Sequence, residues 1–174
     1  MNDVVAVITL DLKNRKIADL ELRQEALRFS CKRCAALCCK LGGPVLTRKE
    51  TEAIRDTGYQ VNDFLEPVNR DTKGLSLAYG GLKTREDGSC IFIQQDIEQN
   101  IFKCGIYDVR PALCRLYPFS FEKLGANRIS LKFIPCCLGL NNPEGEVLDK
   151  EFISNRLLEP LLDAIELLHK GELF

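Results

Sequence analysis

Apolar positions along this chain come in short runs, and their period changes several times. Residues 4–12, VVAVITLDL, are dense in β-branched side chains and predict a strand. From Arg15 to Phe29, apolar Ile17, Leu20, Ala26 and Leu27 fall among charges at spacings that predict an amphipathic helix. Thr47-Arg48-Lys49-Glu50 matches a capping box, and Gly58 is placed to stop the helix that starts there. Residues 61–68 predict a further helical turn or two, and 75–83 a strand. Glu86-Asp87-Gly88 then supplies turn chemistry before the apolar Cys90-Ile91-Phe92-Ile93 segment, so a hairpin is expected. A short helix is expected within Cys104 to Arg115, with Asp108 as its N-cap and Pro111 limiting how it begins.

Residues 119–124 and 128–134 flank Gly125-Ala126-Asn127 and predict a second antiparallel hairpin. A C-terminal helix is expected over 147–170. From Lys150 onward its Phe152, Ile153, Leu157, Leu158, Leu161, Leu162, Ile165, Leu167 and Leu168 form nearly a helical stripe, read as a core face, with a kink at Pro160. The fold class that follows is α+β: one small cysteine-rich metal-binding domain over 1–174, with helices on both sides of the first cysteine cluster, two hairpins and the long C-terminal helix packed across them.

Composition changes this picture little. A hydrophobic content of 45% with 28% charge is that of a globular chain. A formal net charge of −1 gives no general pull toward nucleic acid or anionic lipid, so neither is an expected partner. The opening MNDVVAVITLDLKNRK has Asp3 where a secretory leader would be basic, and no small-residue cleavage site follows. Nowhere does the chain hold the roughly 18 uninterrupted apolar residues that a membrane helix requires. A soluble, intracellular protein is the expectation.

The cysteines change it most. There are nine, and four stand as Cys31-x-x-Cys34-x-x-x-Cys38-Cys39. An odd number in a chain long enough to form a core without staples favours thiols in a reducing compartment over a disulfide framework. Two thiolates at Cys-x-x-Cys spacing can share one zinc or iron when the loop turns back on itself. Cys38 and Cys39 follow within one further turn; they could serve different metals, or one could be a ligand and the other a buried thiol. Cys90, Cys104, Cys114, Cys136 and Cys137 must be gathered by the fold. Two four-thiolate sites would use eight of the nine, but cysteine is also a small core hydrophobe, and Cys90 and Cys136 carry that second reading. His169, the only histidine, is a poor ligand candidate near a helix end. A sulfur-rich site admits zinc, iron–sulfur or copper(I) and argues against magnesium and calcium. Arg110 and Arg115 flank Cys114 and are candidates to offset the roughly −2 charge of a four-thiolate centre by hydrogen bonding to its sulfurs.

The ordered motifs Phe29-x-Cys31-x-x-Cys34-x-x-x-Cys38-Cys39, Gly88-x-Cys90-x-Phe92, Cys104-x-Ile106-Tyr107-x-x-Arg110-Pro111-x-x-Cys114-Arg115-x-x-Pro118-Phe119 and Cys137-x-Gly139 resemble the YkgJ-type cysteine-cluster family of zinc- or iron-chelating proteins, over about residues 29–140. The resemblance implies a cytoplasmic prokaryotic protein. It implies metal ligands drawn from Cys31, Cys34, Cys38, Cys39, Cys90, Cys104, Cys114 and Cys137, holding zinc or an iron–sulfur cluster, [4Fe-4S] favoured; Cys136 is extra to the pattern. The same cluster occurs in flagellin lysine-N-methylase, which raises S-adenosylmethionine-dependent methylation of a protein substrate, or a redox component supporting it with a protein partner. In that alternative Tyr107, Arg110 and Arg115 line a cofactor pocket beside the cluster. Against it, the chain has no Gly-x-Gly-x-x-Gly loop and no radical-type Cys-x-x-x-Cys-x-x-Cys triplet.

Overall fold

The computed structural model describes residues 3–24, 26–34, 38–40, 42–68, 78–98 and 101–168. The expected ligand-poor His169, Lys170 and residues 75–77 of the expected strand lie outside them. Helices and strands are mixed, as an α+β chain requires, and the chain divides into two compact units. One takes the chain up to Lys32 together with Leu116–Asp163; the other takes Arg33–Arg115 and the chain from Ala164.

The first unit is built on a four-stranded antiparallel sheet in the order β2 (Lys16–Leu22), β1 (Val4–Asp11), β10 (Arg128–Phe133) and β9 (Phe119–Lys123). Strand β1, Val4–Asp11, buries Val5, Ala6, Val7, Ile8 and Leu10, the near-continuous apolar run of a strand with neighbours on both edges. The expected helix from Arg15 to Phe29 is absent. In its place β2, Lys16–Leu22, pairs with β1, and β3, Arg28–Phe29, pairs with β11, Glu146–Val147. The physical reason is a turn closed by side chains: Asn14 donates from its backbone N–H (3.1 Å) and its Nδ2 (2.7 Å) to the Asp11 carboxylate, and Arg15 takes φ 49°. Local closure by this turn puts β2 on the edge of β1, and only Leu20 of β2 is buried. The charges between Ile17 and Leu22, which looked like the polar face of a helix, are the solvated positions of an edge strand.

The hairpin around Gly125-Ala126-Asn127 forms as expected, from β9, Phe119–Lys123, and β10, Arg128–Phe133. Phe119 packs edge-on against Phe29 at 5.6 Å and Phe152 at 6.1 Å. The expected long helix forms from Lys150 to Leu168 without a break, as α4, Lys150–Phe152, a π-helical stretch Ile153–Leu157 and α5, Leu158–Leu168, while Val147 belongs to strand β11 instead. Pro160 has no N–H to offer the carbonyl one turn back, and the wider π turn lies immediately before its segment.

The second unit has α1, Arg48–Asp56, opened by the expected capping box and followed by Gly58 at φ 104°. Val61–Phe64 forms α2, but Leu65–Glu66 is strand β5 rather than more helix. It pairs with β6, Gly80–Leu82, which also pairs with β4, Val45–Leu46. The hairpin expected through Cys90–Ile93 reduces to one bridge, Thr84 with Cys90; Ile91 and Phe92 turn instead, and the ladder forms later between β7, Ile93–Asp96, and β8, Ile101–Cys104. Asp108 caps nothing: Tyr107–Val109 is a 3-10 turn, and the helix, α3, runs from Ala112 to Leu116. Its first N–H is satisfied from another element, Glu50 of α1, whose Oε1 accepts from Ala112 N at 2.7 Å. The core of this unit joins Leu46, Ile54, Phe64, Leu82, Cys90, Phe92 and Ile106. Among the described residues no helix is long and apolar enough to cross a membrane.

Two substitutions test this framework. The other oxygen of Glu50 accepts from Thr47 N–H (2.8 Å) and Oγ1 (2.9 Å), so Glu50→Ala removes both ends of the tie and is expected to cost about 2 kcal/mol in urea unfolding. A loss below about 0.5 kcal/mol, the range of ordinary surface changes, would show that the tie contributes nothing. At Gly43 a Cβ would stand 2.2 Å from the Leu82 carbonyl oxygen, so Gly43→Ala is expected to cost about 1–3 kcal/mol by forcing backbone apart, where Gly58→Ala meets no atom and strains only its own φ.

Candidate metal centre

Five thiols of the second unit are brought together by elements far apart in sequence. Cys38 and Cys39 lie on a turn, their sulfurs 3.8 Å apart. The Cys39 carbonyl accepts the N–H of Cys90 at 2.7 Å, which fastens the cysteine loop to the core thiol. Cys90 is 8% exposed and belongs to the apolar cluster; Cys39 and Cys104 pack against that cluster from its edge. Cys90 is followed by a tight turn, Ile93 N–H to Cys90 O at 3.1 Å, after which Ile93 faces Cys104 across the β7–β8 ladder. Cys114 stands on α3, whose start Glu50 holds.

The thiols act on one another electrostatically. Burial comes first in raising the Cys90 and Cys104 thiols, and the charges of neighbouring sulfurs add to it. Burial pushes Cys114 up to about 12, with Cys90, Cys104 and Cys38 contributing. Within the vicinal pair, the hydrogen bond from Cys39 lowers Cys38 to about 6 and raises Cys39, which also feels burial and the sulfurs of Cys38, Cys90 and Cys104. Four of five thiols therefore resist ionising next to one another, and what would relieve them is a positive charge at their centre. Among the described residues no three His, Cys, Asp or Glu side chains stand in coordinating geometry, so the thiols are neighbours within electrostatic reach rather than a closed shell. The donor set fits zinc or iron: soft, sulfur-only and partly desolvated.

Two guanidinium groups act on these sulfurs. Arg110 favours the thiolate forms of Cys38, Cys104 and Cys114, and is held by its Nε–H to the Tyr107 carbonyl (3.1 Å) and by stacking 3.8 Å from the Tyr107 ring centre. Arg85 favours the Cys90 thiolate while its NH2 donates to the carbonyls of Ile91 (3.1 Å) and Ile93 (2.6 Å), bracing the turn after Cys90. Arg115 follows Cys114 on α3 and is half-buried; Tyr107 is 46% exposed, on the surface rather than inside a pocket.

The remaining candidates are placed differently. Cys34 is a half-buried residue of the second unit, while Cys31, Cys136 and Cys137 belong to the first. There, Ser30 N–H donates to Gly139 O at 3.0 Å and sets the chain before Cys31 beside the chain after Cys137. A Cβ at Gly139 would lie 2.6 Å from the Ser30 carbonyl, so this approach needs glycine. Cys136 is exposed and is not a core residue. Sequence reasoning missed Glu50 and Arg85. The spare oxygen of a capping-box glutamate was the available signal for the first, and nothing local marked the second.

Comparison with known proteins agrees with this chemistry. Residues 30–150 match the CxxCxxCC family, described as "Putative zinc- or iron-chelating domain". The chain is 31% identical over 144 residues to the uncharacterized protein MJ0661 of Methanocaldococcus jannaschii, across 81% of this chain and 73% of that protein. No solved structure matches. With most of its length inside the match and its thiols gathered as described, the chain belongs to the CxxCxxCC family of zinc- or iron-chelating domains.

Proposed function

We propose that one zinc or iron centre takes its thiolates, four for a tetrahedral ion, from among Cys38, Cys39, Cys90, Cys104 and Cys114, and that this centre organises the second unit. The observation that carries the reading is that Cys90 sits in the apolar cluster with Cys39 and Cys104 packed against it, that the Cys38 sulfur stands 3.8 Å from that of Cys39 and Cys114 lies within electrostatic reach, and that all but Cys38 are costly to ionise without a cation. The 3.8 Å between the Cys38 and Cys39 sulfurs supports a single tetrahedral ion: two sulfurs each bonded to one zinc at about 2.3 Å stand about 3.8 Å apart. A [4Fe-4S] cluster takes one thiolate at each iron, so the two sulfurs of that pair would not share a metal in it. Thiolate ligation is kept in a reducing compartment, and on that ground we place the chain in the cytoplasm.

Protein purified without oxygen is expected to hold zinc or iron with no matching acid-labile sulfide; sulfide equal to iron would replace the single-ion reading with a cluster, and well-folded protein with neither metal would end both. Cys104→Ser and Cys114→Ser are expected to lose most of the bound metal, whereas Cys136→Ser keeps it; equal retention by all three would remove these thiols from the site.

Because raised thiols are protonated at neutral pH and bind as thiolates, metal uptake must expel protons, and affinity must climb as pH rises. Titration with zinc in weakly buffered solution should release more than one proton per ion. Release of none would mean that the ligands are not these thiols. Removal of the metal by a chelator should lower Tm, since the ion is bound only by the folded state.

A further inference from the structure

Most arginines that the structure describes outside the thiol site answer a carboxylate: Arg15 with Asp163, Arg55 with Asp56 and Arg156 with Glu146. Several cations of the second unit do not. Among the described residues Arg33, Lys40, Arg48 and Arg110 have no ion pair with a carboxylate and lie on aromatic rings instead, Arg48 at 5.0 Å from the centre of Tyr79. Arg110 stacks 3.8 Å from the centre of Tyr107, Arg33 lies 5.8 Å from the same ring, and the Lys40 ammonium is 4.9 Å from the centre of Phe102. The two groups are joined through the backbone, where Phe102 N–H donates to the Arg33 carbonyl at 3.1 Å. Tyr107 is 46% exposed, and Arg33 and Lys40 are exposed as well. Asp108, next to Tyr107 in the chain, is exposed and makes no ion pair with Arg33, Lys40 or Arg110.

We propose that Arg33, Lys40 and Arg110, with the Tyr107 ring that both guanidinium groups approach, form a docking surface for an acidic segment of a partner protein. A guanidinium laid on an aromatic ring is held in place and lightly hydrated, yet keeps in-plane N–H donors for a carboxylate, so little ordering remains to be done when a carboxylate arrives. Tyrosine and arginine together are the side chains that anchor protein interfaces. The surface is open rather than enclosed, which suits a protein chain better than a small metabolite. The net charge of −1 supplies none of the broad positive field that nucleic-acid binding rests on, and the cations are few and local. Docking does not require the metal. Its consequence does rest on the metal reading: Arg110 also acts on Cys38, Cys104 and Cys114, so a docked partner is brought beside the thiol centre.

The test is fluorescence anisotropy of a labelled oligoglutamate peptide with the full chain, metal content being measured on each sample. The wild-type protein is expected to bind the peptide more weakly as salt rises. Arg33→Glu and Lys40→Glu should each weaken binding about tenfold, as reversing a charge at a steered contact does, while the same charge reversal at exposed Lys13, in the first unit, leaves it unchanged. No binding by wild type, equal loss with Lys13→Glu, or comparable binding of oligodeoxythymidine would each overturn the proposal. Unchanged metal content in a variant that loses the peptide separates failure of docking from failure of the metal centre.

Discussion

The second unit depends on one backbone hydrogen bond, from Cys90 N–H to the Cys39 carbonyl. It joins a cysteine-bearing turn, which has little apolar surface of its own, to a residue inside the hydrophobic cluster. Once it is made, Cys39 is fixed against the same cluster that Cys104 reaches through the β7–β8 ladder, with Cys38 beside it and Cys114 on α3 within electrostatic reach. Apolar packing thus sets the positions of the sulfurs.

That arrangement creates an electrostatic problem. Burial first, and the nearness of other sulfurs after it, raise Cys90, Cys104 and Cys114, while the hydrogen bond with Cys38, then burial and the neighbouring sulfurs, raise Cys39. Arg85 and Arg110 offset part of the negative charge from outside, each anchored to backbone carbonyls so that its own position is fixed. In the proposed metal centre a cation at the middle would offset the rest. Folding and metal binding would then be coupled: the ion would neutralise the charge that apolar packing has concentrated, and the packing would spare the ion the entropy of collecting its ligands.

How far this could be read from the sequence depended on distance along the chain. The Thr47–Glu50 capping box and the hairpin around Gly125-Ala126-Asn127 were legible because their determinants lie within a few residues. The stretch from Arg15 to Phe29 was misread because Ile17 and Leu20 satisfy a helical spacing equally well, and only pairing with β1, prepared by the Asp11–Asn14 turn, decides for strand. The Cys-x-x-Cys-x-x-x-Cys-Cys run announced metal chemistry. Which distant cysteines join which part of it did not follow from spacing, since Cys90, Cys104 and Cys114 arrive on a turn, a strand and a helix. Glu50 shows the same limit, its capping role being local and its bond to Ala112 crossing 62 positions.

The central claim is that sulfur from these cysteines surrounds a single ion, and X-ray absorption at the edge of the bound metal examines that bond directly. The account predicts a first shell dominated by sulfur at about 2.3 Å for zinc. A shell of oxygen or nitrogen near 2.0–2.1 Å, with no sulfur, would contradict it.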